Sequence, residues 1–124
     1  MIFAINERNY NCPLELTLSI IGGKWKILIL VLLRRRTKRY GELRSDIPDI
    51  THKMLAQQLR ELERDGMIHR RAFPEVPPRV EYSLTSEGER LIPVLLQMAD
   101  WGMHYYTGDP ADLPASSGGD VVAG

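Results

Sequence analysis

Apolar residues change their period several times along this chain, and each change marks an element. From Leu14 to Ile21 they recur at helical intervals behind Cys12-Pro13, and proline is well tolerated in a first helical turn. Gly22-Gly23 breaks that segment. Lys24 to Leu33 is almost wholly apolar. Its run ILILVLL alone fits a buried strand or a buried helix, but Lys24-Trp25-Lys26 extends it to helical length without alternation and favours the helix. Tyr40 to Ile47 predicts a short helix with Leu43 and Ile47 on one side, closed by Pro48. A longer helix follows over 51–65. Thr51 stands at its capping position, Leu55, Leu59 and Leu62 form one stripe, and Gly66 can take the left-handed conformation that ends it.

After Gly66 the period falls to two. Val80, Tyr82 and Leu84 alternate with Glu81 and Ser83, and Ile68 to Phe73 offers a partner strand with weaker alternation. Between them Pro77 and Pro78 remove ladder donors and stiffen a protruding loop. A last helix is predicted from Thr85-Ser86 to about Tyr105, with Ser86 and Glu89 spaced as a capping box. Pro93 is expected to kink this helix or delay its start. Leu91, Leu95, Met98, Trp101 and Tyr105 form one stripe on it, and Ile92, Leu96 and Ala99 a second, too wide a surface for one small core. Residues 1–11 read as an extended or loosely ordered arm. Residues 107–124, rich in Gly, Pro, Ser and Ala, read as a disordered tail. The fold expected for 12–106 is therefore mainly α with a small β-hairpin: two helices joined by a short turn, then two strands and a stiff loop, a winged helix-turn-helix.

The formal net charge of zero conceals a segregation. Residues 24–79 hold 14 Lys or Arg against 7 Asp or Glu, whereas residues 80–124 hold one Arg against 7 acids. Such a split suggests a localised site for a polyanion, although charges can also simply balance across a fold. The longest unbroken apolar run, Ile27 to Leu33, is far short of the about 20 residues a membrane span needs, so no membrane partner is expected. A single cysteine excludes an internal disulfide framework and fits a reducing cytoplasm. No phosphate-binding glycine loop and no nucleophile motif occurs, and His52, His69 and His104 lack metal-ligand spacing. Neither an enzyme nor a metal or cofactor site is expected.

The face of helix 51–65 opposite its leucines is where chemistry is expected. An α-helix fits the major groove of double-stranded DNA, where Arg pairs with guanine, Gln with adenine, and a small side chain meets a thymine methyl. Lys53, Ala56, Gln57 and Arg60 supply these types. Thr51 and His52 stand at the positive end of the helix, suited to phosphate. The preceding run RRRTKR adds Arg36, Lys38 and Arg39, and Arg79 stands by the prolines of the loop, where a basic wing can follow a minor groove. A solvated helix face is the bland alternative, and a winged helix that binds proteins is another; neither calls for cations at all these places on one surface.

Three stretches carry a resemblance: CPLELTLSIIGGKWKILIL (12–30), RYGELRSDIPDITHKMLAQQLRELERDGMI (39–68) and PPRVEYSLTSEGERLIPVLLQMADW (77–101). In this order they resemble the HxlR-type family of bacterial winged helix-turn-helix regulators. Tyr40 stands where the family more often has Phe, and Thr51 where Ser is common. The resemblance implies a homodimeric DNA-binding transcription factor paired through its first and last helices, with Leu14, Leu91, Leu95, Met98, Trp101 and Tyr105 as interface candidates. Two copies of helix 51–65 in successive major grooves would read a near-palindromic promoter site, and occupying it would repress, though activation is not separated from repression by sequence. Some members sense oxidants or electrophiles at the position matched by Cys12, so a small-molecule or oxidant effector is a candidate partner. The positive end of a helix favours a reactive thiolate there, and a buried packing cysteine is the alternative.

Overall fold

In a computed structural model, residues 3–5 and 8–106 are described, and the expected tail, 107–124, lies outside them. A hairpin of β1 (Phe3–Ile5) and β2 (Arg8–Tyr10) leads into α1 (Pro13–Ile21) and α2 (Lys26–Leu33). Then come β3 (Lys38–Arg39), α3 (Tyr40–Asp46), α4 (His52–Arg64), β4 (Ile68–Phe73), β5 (Arg79–Leu84) and α5 (Ser86–Tyr105). The helices and the β4–β5 hairpin stand where the periodicity predicts them.

Helix α2 is the centre of the core. Ile29, Leu30, Val31, Leu32 and Leu33 are all buried, as a helix apolar on every side must be. The α4 stripe of Leu55, Leu59 and Leu62 joins the same cluster, with Leu43 and Ile47 of the preceding helix and turn, and Ile68 and Tyr82 of the sheet. One charge enters this core. Lys26 Nζ, almost wholly buried, donates to Glu61 Oε1 at 2.8 Å and ties α2 to α4. The bond from Lys26 holds the Glu61 carboxyl below the ordinary carboxylate range, against the opposing effect of burial.

Both ends of α4 are closed as its sequence suggests. Thr51 Oγ1 accepts from the Met54 amide at 3.1 Å. Gly66 takes φ 77°. The amides of Gly66 and Met67 return to the carbonyls of Glu63 and Leu62, satisfying acceptors that the helix end leaves open. Thr85 then joins the end of α4 to the start of α5. Its hydroxyl donates to the Gly66 carbonyl at 2.6 Å and accepts from the Gly88 amide at 3.0 Å, while its amide donates to Met67 O at 3.1 Å. A Cβ at Gly88 would stand 2.3 Å from that Met67 oxygen, so only glycine permits the approach.

Three expectations are corrected. The cap of α5 is Thr85 and not Ser86, because Thr85 alone also reaches the end of α4. Pro93 does not delay the start of α5, which begins at Ser86 and continues through the proline. The arm is extended where it is described, as one of the two readings expected: Phe3 pairs with Tyr10 and Ile5 with Arg8, and Tyr10 is buried. The sheet is more than a hairpin, with β3 adding a third strand in the order β3-β5-β4. Only two residues long and inside the cationic run, β3 has no periodic signature to read. Central β5 is consequently paired along both edges, and its residues are half-buried except for buried Tyr82, which blurs the alternation predicted for it.

Leu59 is a buried leucine of α4 facing α2. Leu59→Ala is expected to destabilise the fold by about 2–5 kcal/mol, read as a lower urea midpoint with an unchanged slope.

Candidate nucleic-acid interface

The leucine stripe and the Lys26–Glu61 pair fix which side of α4 faces outward. Lys53, Gln57 and Arg60 are exposed and Ala56 half-exposed, on the side the sequence assigns to DNA. Gln57, one turn before Glu61, also helps hold the Glu61 carboxyl low, which connects the outward face to the Lys26–Glu61 pair. Arg64, at the end of the same face, is held by Asp65 through two bonds of 3.1 Å. Cations thus lead at the front of the helix and are neutralised at its end.

The preceding helix touches this face at one point. The Tyr40 hydroxyl lies 2.6 Å from His52 Nδ1 and 3.1 Å from the His52 carbonyl oxygen, with the two rings edge to face at 5.2 Å. Burial raises the Tyr40 phenol above its ordinary pKa, so it keeps its proton near neutrality. His52 is therefore a positioned side chain and not a freely solvated one. Reading along the sequence assigned Tyr40 no site role; the only signal was an aromatic hydroxyl and an imidazole on either side of a helix-turn-helix turn.

The run RRRTKR is less uniform than its composition. Lys38 is bonded to Asp46 at 2.5 Å and its side chain is only 13% exposed, so it holds β3 to α3 instead of facing outward. Arg36 is exposed but bridges to Glu42 Oε2 at 2.5 Å. Arg39 is exposed, and its amide donates to the other Glu42 oxygen at 2.9 Å. The Arg34 guanidinium donates to the Val31 carbonyl.

The wing is built on Phe73. Arg79 lies over its ring at 3.9 Å and Arg71 at 4.7 Å. Arg79 also stands 3.1 Å from Glu75 and 3.8 Å from Glu81, and its Nε is buried with no hydrogen-bond partner. A phosphate at the wing would compete with two carboxylates already there. Arg70 and Arg71 on β4 are exposed cations that reading along the sequence did not assign to the surface. Register places Arg71 opposite Glu81, and β3 sets Arg39 opposite the same residue.

The chain belongs to the HxlR-like helix-turn-helix family. That family's pattern matches residues 20–110. YdeP of Bacillus subtilis (strain 168), described as an HTH-type transcriptional regulator, is 57% identical over 94 residues, covering 76% of this chain and 73% of its own. The redox regulator HypR in its oxidised form superposes with a TM-score of 0.72 at 48% identity, over 78% of this chain and all of that one. The reduced form of the regulator YodB from B. subtilis gives 0.71 at 37% identity, over 81% of this chain and all of its own. This member is thus a transcriptional regulator of a DNA-binding family and not an enzyme.

Away from the α4 face, Leu14, Met98, Trp101 and Tyr105 are all exposed, Trp101 at 67% and Tyr105 at 72%, with these two rings stacked at 5.2 Å. Leu95 is corrected: at 3% exposure it lies in the core of the single chain, and Leu91 packs half-buried against that core. The stripe on α5 therefore divides, its first half serving the core and its second half left open. Cys12 is exposed at the N-cap of α1, which excludes a buried packing role in the single chain. A cavity of about 270 Å³ lies between α1 and α5, lined by Thr17, Ile20, Ile21, Met67 and Leu91, with Glu87 and Arg90 at its rim. Among the described residues, no single helix is long and apolar enough to cross a membrane.

Glu42 couples this surface to pH. The side-chain bond from Arg36, then the Arg39 amide, hold its carboxyl down from 4.5 to about 2. Because the folded value is depressed, the stability it contributes is present above about pH 4.5 and is lost as pH falls toward about 2. Glu42→Gln should flatten that acid limb when urea midpoints are compared from about pH 5 downward.

Proposed function

We propose that this HxlR-like protein is a homodimeric repressor that reads a near-palindromic promoter site through α4, acting in the cytoplasm. The observation that carries the reading is the division of α4: three buried leucines on one side, and exposed Lys53, Gln57 and Arg60 with Ala56 on the other. Thr51 and His52 lead this helix toward phosphate. The two-fold arrangement sets two α4 helices in successive major grooves about 34 Å apart. Exposed Leu14, Met98, Trp101 and Tyr105 form the pairing surface between subunits, since large apolar side chains left exposed on α1 and on the last turns of α5 are costly to leave in water. Arg39 contributes a phosphate contact, as do Arg36 and Arg79 once their carboxylate partners yield; Lys38 contributes through the position of β3. Residues 12–106 form the working unit, with 1–11 as an arm and 107–124 as a tail.

The test is fluorescence anisotropy of the reduced protein on its own upstream DNA beside a scrambled duplex at two salt concentrations. Tight binding of two chains to the native fragment, weakening steeply with salt, is expected. Arg60→Ala should cost roughly 1–3 kcal/mol on the native site and little on the scrambled one. Arg79→Ala should weaken both about equally. Equal weak binding to both duplexes would instead direct attention to a protein partner for this face.

Oxidant control through Cys12 is the second element of the proposal. Support comes from its exposure at the start of α1, close in sequence to the pairing surface, and from the similarity to the redox regulators HypR and YodB. With one cysteine per chain, the product is a disulfide with the other subunit's Cys12 or with a small thiol. Diamide is expected to change DNA affinity of the native protein and to leave Cys12→Ser unaffected. Complete modification without change in affinity would remove the switch.

A further inference from the structure

The contact between Tyr40 and His52 contains one more proton decision than its two distances suggest. The phenol oxygen is 2.6 Å from Nδ1 and 3.1 Å from the His52 carbonyl oxygen. A phenol carries a single proton. If it goes to Nδ1, the contact between the two oxygens holds no proton. If it goes to the carbonyl, Nδ1–H donates back to the phenol oxygen, and both contacts hold one. Only the second assignment satisfies both. It fixes the tautomer: in the neutral ring Nε2, on the far side from Tyr40, carries a lone pair and no hydrogen. Protonation adds N–H at Nε2 and disturbs neither bond to Tyr40.

His52 is the first residue of α4 and is exposed. Lys53 follows it on α4, Asp49 stands three residues before it in the turn, and Arg44 of α3 and Tyr82 of β5 act on its partner Tyr40. His52 makes no ion pair among the described residues. A phosphate outside the chain can therefore supply the counter-charge of a protonated ring there.

We infer that Tyr40 makes His52 a proton-dependent phosphate clamp at the leading end of the recognition helix. The neutral ring offers a lone pair, which a phosphate oxygen repels. The imidazolium offers N–H and a positive charge, which a phosphate accepts. DNA binding then takes up a proton, and affinity falls as pH rises. Tyr40 acts as a positioning residue: without its hydroxyl the neutral ring is free to carry its hydrogen on Nε2 and donate to phosphate uncharged. This inference rests on the DNA-binding reading given above.

Anisotropy on the native upstream fragment at constant salt, between about pH 6 and pH 8, tests it. The wild-type protein should lose roughly fivefold to tenfold in affinity over that range, the scale of one charge-assisted contact. His52→Gln should lose that component, and Tyr40→Phe should retain affinity at the upper end and so flatten the profile. A purely structural role for Tyr40 would instead lower affinity by the same factor at every pH. In the free protein, nitrogen-15 spectra of the imidazole should report hydrogen on Nδ1 in the neutral ring. Hydrogen on Nε2, or a wild-type pH profile that superposes on that of His52→Gln, overturns the inference while leaving DNA binding intact. Absence of specific binding at every pH overturns the DNA reading, and the clamp with it.

Discussion

Helix α4 has to satisfy two solvents at once, and the way it is anchored to α2 decides everything outward of it. The leucines at 55, 59 and 62 fix its rotation by burial, which is strong but without direction. The Lys26–Glu61 bond adds direction. A buried ammonium has a narrow choice of partner positions, and at 2.8 Å it selects one axial register of α4 against α2. Breaking such a pair leaves a charge stranded in the core, so its value to this fold is as a constraint on geometry more than as net stability. Once α4 is set, the exposed positions of Lys53, Gln57 and Arg60 follow from helical geometry alone.

The same economy joins the other elements. Thr85 is at once the cap of α5 and a donor to the last turn region of α4, and Gly88 lets the two backbones approach. Tyr40 is at once part of the packing of α3 and a holder of the first residue of α4. Each end of α4 is therefore bonded to a neighbouring helix, which holds its outward face in one orientation.

The basic surface is not a simple sum of its cations. Lys38 is turned toward Asp46, Arg36 toward Glu42, and Arg79 toward Glu75 and Glu81. These acids moderate non-specific attraction to polyanions, whereas Lys53 and Arg60 on the helix face form no ion pair among the described residues. A chain with zero formal charge can in this way bear a surface for DNA without a generally cationic exterior. The half-open stripe on α5 follows a similar division: Leu95 closes the core, while Trp101 and Tyr105 remain outside it.

Sequence by itself determined the helices, the β4–β5 hairpin, the stiff loop, the cap at Thr51, the end at Gly66 and the outward face of α4, because each rests on periodicity or on residues with strong local preferences. The resemblance over 12–101 pointed to the same family that the comparisons establish. Only the tertiary structure decided the rest. Strand β3 exists because β5 offers it an edge, not because Lys38-Arg39 prefers to be a strand. Thr85 displaced Ser86 as the cap because it alone meets Gly66. Leu95 lies in the core while Trp101 and Tyr105 of the same stripe stay exposed, because α5 meets the core only along its first turns. The pairing of Lys26 with Glu61, 35 residues apart, and of Tyr40 with His52 needs side chains brought together in space, and no local pattern encodes that meeting.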